Sequence, residues 1–300
     1  MQASDVLEEF GIEDWSGPFT PADQDRAAAA LEDGRVVVLP RLPFVLTGLQ
    51  TPFLDATALD NSRKNISYDP RTGRCNGSDF TGEKLALLTA MLQRYGRQAE
   101  SLVAGLFPGY APALERARTS FRPAEIGGRE YSPRHDDRRL HVDAFPTRPT
   151  NGQRILRVFT NAAPDGTGRQ WRVGEKFPDF ARAFYPRLRP MFPGQAWAMA
   201  AIGLTKSRRS AYDHTMLGLH DAAKLDSAYQ QTAPQTNVAF APGTTWMCFT
   251  DNVLHAALAG RCAFEQTFHL PVAAMANPEK SPLHSLEKLA GRPLARTVPG

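Results

Sequence analysis

The chain has 300 residues, 42% of them hydrophobic, with 35 basic against 31 acidic side chains and a formal net charge of +4. That content can bury a large core. No Gly/Ser linker, low-complexity tract or fixed repeat is visible, which excludes a solenoid and favours one domain over residues 1–300. Residues 35–49 and 196–204 are too short, or too interrupted by Pro and Arg, to span a bilayer, and the acidic start with Asp5, Glu8 and Glu9 does not read as a secretory signal. Cys75, Cys248 and Cys262 are odd in number and far apart, so neither a disulfide framework nor a Cys-rich zinc site is expected; a reduced, cytoplasmic setting is.

Thr20-Pro21-Ala22-Asp23 reads as a helix start, with Thr at the cap, Pro in the first turn and an acid beside it, and the alanine-rich segment that follows stops at Gly34. Residues 36–39, three valines and a leucine before Pro40, read as a buried strand. Residues 81–106 read as a long amphipathic helix with Leu85, Leu87, Leu88, Met91 and Leu92 on its apolar stripe. Residues 1–115 are thus expected to be helical and strand support. Beyond residue 116 the texture changes to short strands, expected at 119–126, 140–145, 154–160, 236–240, 244–249 and 262–270, with Ala241-Pro242-Gly243-Thr244 as a turn. Six short strands fit a mainly β fold with flanking helices around a double-stranded β-helix core of the jelly-roll or cupin type, over residues 116–272. An insertion at about 162–235, with helix-like segments at 175–185 and 220–231, suits a substrate lid, and residues 273–300 form a tail.

Chemistry concentrates at His141-Val142-Asp143 and, far downstream, at Asp251-Asn252-Val253-Leu254-His255. In an extended segment His141, Asp143 and Phe145 share one side. An imidazole and a carboxylate two residues apart, closed by a second imidazole, occupy one face of an octahedral ion and leave the other open, as in the facial triad of non-haem Fe(II) oxygenases. His135-Asp136-Asp137 has the same spacing but lies among turn residues and dense charge, and reads as a solvated loop. For the third ligand His255 is preferred because it follows a strand and a turn; His220 is the main rival, and His214 and His269 rank below. A keto-acid co-substrate needs a cation for its distal carboxylate. Arg157, a charge inside an apolar strand, is the first choice and Arg261 the second, against the plain reading of structural ion pairs. The basic clusters at 134–139, 182–189 and 206–209 read as solvated surface or as contacts for an anionic substrate, a phospholipid surface or nucleic acid. A non-catalytic cupin-like protein binding an anionic sugar or lipopolysaccharide would keep the barrel and the basic rim without the three ligands, and a zinc hydrolase is a third reading.

Longer runs carry a family likeness. His141-Val142-Asp143-Ala144-Phe145-Pro146-Thr147-Arg148-Pro149, Leu156-Arg157-Val158-Phe159-Thr160-Asn161, Trp171-Arg172-Val173-Gly174-Glu175, the run from Tyr212 to Asp221 and Glu265-Gln266-Thr267-Phe268-His269-Leu270-Pro271 together resemble the Kdo 3-hydroxylase family. The resemblance implies an Fe(II)- and 2-oxoglutarate-dependent dioxygenase that uses O2 to hydroxylate carbon 3 of Kdo on a lipid A precursor of the lipopolysaccharide inner core, releasing succinate and CO2. It implies His141, Asp143 and His255 as the metal ligands. Arg157, Arg261, Asn161 and Gln266 stand as candidate cofactor contacts, and Lys64, Arg148, Arg208 and Arg209 as candidate substrate contacts. Many dioxygenases place Arg or Lys about ten residues after the distal histidine, where this chain has Glu265 and Gln266. The implied partner is a Kdo-bearing glycolipid met at the cytoplasmic face of the inner membrane, with no nucleic acid.

Overall fold

The computed structural model of the chain describes residues 2–60, 63–127, 131–192 and 194–295. Its strands are β1 (Leu7–Glu9), β2 (Val36–Leu39), β3 (Ile66–Asp69), β4 (Arg74–Asn76), β5 (Glu115–Arg122), β6 (Arg154–Asn161), β7 (Arg169–Gly174), β8 (Gln235–Phe240), β9 (Thr245–Phe249), β10 (His255–Ala259) and β11 (Ala263–Leu270). Its helices are α1 (Ala3–Val6), α2 (Pro21–Glu32), α3 (Gly82–Leu106), α4 (Phe177–Phe184), α5 (Gln195–Ala201), α6 (Ala211–Leu225), α7 (Ser227–Thr232) and α8 (Pro282–Ala290). Among the described residues, eight strands form one sheet in the order β1-β2-β9-β6-β11-β5-β3-β4 and three form a second, β10-β7-β8. The two face each other as a jelly-roll sandwich with helices on the outside, the fold class expected from the strand spacing.

Period-two alternation sorts the long strands between two cores. Leu156 and Val158 of β6, Met247 and Phe249 of β9, and Phe264 and Phe268 of β11 point outward into the layer under α2 and α3. Phe159, Trp246 and Cys248 point inward to meet Trp171, Val238 and Phe240 of the smaller sheet. Trp246 stacks on Phe240 with 4.1 Å between ring centroids and meets Trp171 edge-on at 5.6 Å. Full burial of such a ring contributes roughly 1.5–3 kcal/mol over leaving it in water.

The outer helices start and dock as their residues dictate. Thr20 caps α2 by accepting from the Asp23 amide at 3.1 Å, with Pro21 in the first turn. Tyr95 of α3 is fully buried and donates to the Val158 carbonyl at 3.1 Å. Beside it, a Cβ on Gly96 would lie 2.7 Å from Thr119 Oγ1 and 2.9 Å from Gln266 Oε1, so glycine permits the helix to cross this close to the sheet.

Several expectations change. Residues 140–145 form no strand: only His141 makes a β-bridge, and Gln230 takes both polar groups of the Leu140 backbone, at 2.7 and 2.9 Å, in place of a ladder neighbour. The expected helical insertion contains β7, whose inward Arg169 masked an otherwise alternating Arg169-Trp171-Val173 face, and β10 is an alanine-rich strand with weak strand propensity. The helix expected at 220–231 begins at Ala211 and breaks at Asp226, which caps α7 through the Tyr229 amide at 2.9 Å. The amino-terminal support supplies four strands of the main sheet itself. The expected tail folds as α8, with Leu286 and Leu294 buried; residues 296–300 of it lie outside the described residues.

Candidate metal centre

His141 and His255 sit opposite each other in an isolated antiparallel bridge, each amide donating to the other's carbonyl at 3.0 and 2.8 Å. The two rings are brought to 4.7 Å between centroids. Each ring also faces the carbonyl two residues before it: His141 Nδ1 lies 2.7 Å from Arg139 O, and His255 Nδ1 lies 2.9 Å from Val253 O. A carbonyl can only accept, so both Nδ1 atoms carry the proton and both Nε2 atoms present a lone pair. Trp171 stacks on His255 at 5.2 Å and fixes its plane. Burial, first, then the neighbouring His255 and Lys224 hold His141 well below the usual imidazole range; burial likewise lowers His255 against the pull of Asp143. Both rings are neutral.

Asp143 closes the group. Its amide donates to Thr250 O at 2.8 Å, which ties it to the turn before His255. Burial opposes its ionisation, but the Arg157 guanidinium, the largest opposing cause, keeps the carboxyl below the usual range. The Arg157 Nε lies 3.1 Å from Asp143 Oδ2, yet neither atom has an aligned hydrogen bond, so a buried carboxylate oxygen is left without one. One donor atom from each of His141, Asp143 and His255 lies within 4.8 Å of the other two. Donors this close could be drawn onto one ion, which would hold each at about 2.1 Å. Neutral imidazoles plus an ionised carboxylate with a vacant oxygen suit a divalent first-row metal.

The surrounding pocket is lined by Arg122, Asp137, Arg157, Arg169, Trp171 and Glu265 as well as the triad. Arg157 Nη1 reaches Glu265 Oε1 at 2.9 Å, and Arg122 Nη1 reaches Asp137 Oδ2 at 2.9 Å. Arg169 is different: among the described residues no carboxylate lies within ion-pair distance of it, its Nη1 donates to Gly260 O at 2.6 Å, and its Nε has no hydrogen bond. Burial, then Arg122, pushes its pKa down to about 10. Gly260, at φ +106°, lets the β10–β11 turn approach: a Cβ there would lie 3.1 Å from the Arg169 Cα.

Other expected site residues fall elsewhere. His220, on α6, meets His141 edge-on at 5.4 Å with its Nδ1 held 3.0 Å from Asp221 Oδ1, and stands outside the donor group. Gln266 neighbours the inward Glu265 and therefore faces α3, where it holds Thr119 Oγ1 and Ala117 O. Asn161 closes the end of β6, donating to Thr167 O and Phe240 O, about 13 Å along the strand from Arg157. Arg261 lies outside the barrel, paired with Asp165 at 2.9 Å. Lys64 is at the pocket rim, 3.6 Å from Asp137; Arg209 is buried and donates to Pro146 O at 2.6 Å; Arg208 is exposed; Arg148 lines a separate cavity. Residues 135–139 form a loop as expected, but Asp137 turns inward. Arg122, Asp137, Arg169 and Trp171 escaped the sequence analysis; the one local signal was the alternating β7 pattern.

A family model for 3-deoxy-D-manno-oct-2-ulosonic acid (Kdo) hydroxylase matches residues 14–293. Among solved structures, the Kdo hydroxylase KdoO in complex with alpha-ketoglutarate and Fe(III) is 45% identical, with a TM-score of 0.94 and coverage of 98% of this chain and 100% of that one. KdoO with cobalt(II) is 46% identical, with a TM-score of 0.95 and coverage of 98% and 99%; the complex with succinate and Fe(III) gives 46%, 0.94, 98% and 99%. No curated protein matches. Sandwich, donor group and these similarities define a non-haem Fe(II)- and 2-oxoglutarate-dependent dioxygenase. The chain belongs to the Kdo hydroxylase family.

Two imidazoles with lowered pKa set a pH limit on the metal-free fold. Between their folded values and the ordinary 6.5 the unfolded chain binds more protons, so this stability is complete above about pH 6.5 and is lost as pH falls below it. Urea unfolding of the metal-free chain is expected to weaken by up to about 1.4 kcal/mol per pH unit for each such histidine below that point. H141Q should remove one proton's worth of the slope; half-buried His269, also lowered, keeps part of it. A slope unchanged in H141Q would contradict a neutral His141.

Proposed function

We propose that the chain hydroxylates carbon 3 of a Kdo sugar on a lipid A precursor, with Fe(II) held by His141, Asp143 and His255 and 2-oxoglutarate as co-substrate. The observation that carries the reading is the convergence of two Nε2 lone pairs and an unbonded Asp143 oxygen in one buried pocket. Iron and 2-oxoglutarate, when bound, supply a two-electron oxidation in which one oxygen of O2 enters the sugar C–H bond and the other enters succinate, with CO2 released. The chain's own residues bind, orient and exclude water. His141 and His255 stay unprotonated because they are buried; Asp143 stays ionised beside Arg157; Trp171 walls the pocket against solvent. A binding protein without catalysis would have no use for three metal donors brought to one point.

Arg157 and Arg261 now weigh differently as the keto-acid anchor. Arg157 is neutralised by Asp143 and Glu265, so it orients the carboxylate ligand, and Arg261 is outside the pocket. Arg169 is a buried guanidinium of the pocket that has an unbonded Nε and, among the described residues, no carboxylate partner, and it takes the distal carboxylate in this reading.

The glycolipid would be met at a membrane surface. No described helix is long and apolar enough to cross a bilayer. Phe192, Trp197, Ile202 and Leu204 are nevertheless 70, 64, 70 and 55% exposed around α5, with exposed Arg187, Arg189, Lys206 and Arg208 beside them. Apolar side chains including Trp, ringed by cations, suit an anionic leaflet, where each cation contributes about 1 kcal/mol.

Three outcomes are expected. With Fe(II), 2-oxoglutarate and a Kdo glycolipid, the chain should yield succinate and a product heavier by one oxygen, and H141A or D143A should abolish both; turnover without the oxygen gain would sink the reading. Arg169→Gln should weaken 2-oxoglutarate about 10- to 100-fold, read from the visible charge-transfer band of the Fe(II) complex. Co-flotation with phosphatidylglycerol vesicles should fall on raising salt and fall again in W197S/I202S; equal recovery with neutral vesicles and in every salt would remove the membrane step.

A further inference from the structure

A second cavity, of about 400 Å³, opens beside the metal pocket. It is lined by Arg71 after β3, Arg116 and Arg118 on β5, Arg148 on the loop that follows Asp143, and Lys206. Against these five cations stand two lining acids, Asp69 and Glu115. Asp69 is shared by Arg118 at 3.5 Å and Arg71 at 3.9 Å, and Arg116 is paired with Glu100 at 3.0 Å. Among the described residues neither Arg148 nor Lys206 has a carboxylate within ion-pair distance. Burial, then Arg118, lowers the pKa of Arg148, with Asp69 pulling the other way. On the far wall His269 Nδ1 is buried without a hydrogen bond.

The cavity and the metal pocket share a partition. Phe145 lies edge-on to His269 with 6.2 Å between ring centroids, and the Arg157 guanidinium lies over the Phe145 ring, 5.7 Å from its centroid. Arg148 is five residues beyond Asp143, so their Cα atoms are at most roughly 17 Å apart. One glycolipid can therefore reach both.

We infer that this cavity is an anion subsite that takes a phosphate or a carboxylate of the substrate remote from the reacting carbon, with Arg148 and Lys206 as its free donors. The inference rests on the hydroxylase reading for its substrate, though not for its charge chemistry. Guanidinium and ammonium groups without carboxylate partners recognise such oxyanions, and Arg148 can do so in bidentate fashion.

The test uses the full chain. Isothermal titration of the metal-free protein with inorganic phosphate should show one site that R148Q and K206Q each weaken about tenfold or more. In the iron-loaded enzyme the same substitutions should act on KM for the Kdo glycolipid rather than on kcat, whereas R182Q, an exposed change beside Asp179 on α4, should not move KM. A KM effect that disappears with dephosphorylated glycolipid assigns the group to phosphate; one that persists assigns it to a sugar carboxylate. Should the hydroxylase reading itself fail, the parent will lack turnover while phosphate binding still depends on Arg148. If the R148Q/K206Q double variant, folded by thermal melting, binds phosphate as the parent does and keeps the parent's KM, the subsite does not exist.

Discussion

Two reciprocal hydrogen bonds between the backbones of His141 and His255 hold the functional part of the molecule in place. With the Ala257 amide, which donates to Asp137 O at 2.9 Å, they pair the 137–141 segment with this edge of the smaller sheet, and they bring the two imidazoles together at a 40° tilt without any side chain taking part. The carbonyls of Arg139 and Val253 then choose the tautomer. The turn that carries His255 is itself clamped from below: Asp251 is buried against Arg154 at 2.8 Å and also accepts from the Ile155 amide at 3.2 Å. Leaving one partner of such a pair alone in the interior costs about 3–5 kcal/mol, so the turn cannot drift without exposing a charge to the apolar core.

The pocket built on that bridge is poor in stabilising interactions by ordinary standards. Arg122, Arg157, Arg169, Asp137, Asp143 and Glu265 crowd an interior that aromatic residues would fill at lower electrostatic cost. Their mutual pairing offsets part of that cost but not all of it, since the Asp143 and Arg169 side chains retain unbonded atoms. Local consistency is broken where chemistry needs vacant donors and acceptors, and the aromatic layer of Phe159, Trp171, Phe240 and Trp246 directly behind the pocket supplies the rigidity the charges do not.

Sequence period showed the two inner triad residues and the sandwich class because both depend on short-range alternation. It located His141 and Asp143 on one side even though residues 140–145 are not a strand, since an extended chain alternates whether or not a ladder forms. Cofactor contacts depend on something finer. Gln266 and Glu265 are neighbours, and a one-residue step moves a side chain from the helix-packed face to the pocket; nothing local says which of the two faces inward. Arg261 looked close to His255 in number but sits beyond a turn, outside the barrel. Arg122 and Asp137 meet although they stand 15 positions apart in the chain, and Arg169 enters the pocket only because Gly260 lets another turn press against it, so tertiary approach decides all three.

The loop from Asp143 to Thr150 joins the two cavities mechanically as well as in sequence. At one end the His141–His255 bridge and the Asp143 amide fix it to the sheet. At the other, Asp213 of α6 accepts from the Thr150 amide at 2.7 Å and the Asn151 amide at 3.0 Å, and the same carboxylate caps α6 through Ser210. Between them Arg209 donates to Pro146 O, bracing the middle. A segment pinned at both ends and propped at its centre holds Arg148 at a set distance from Asp143. In the proposed subsite, an anion held by Arg148 would be placed in register with the proposed metal donors, and orientation of the reacting carbon would become a property of eight residues of backbone rather than of flexible side chains.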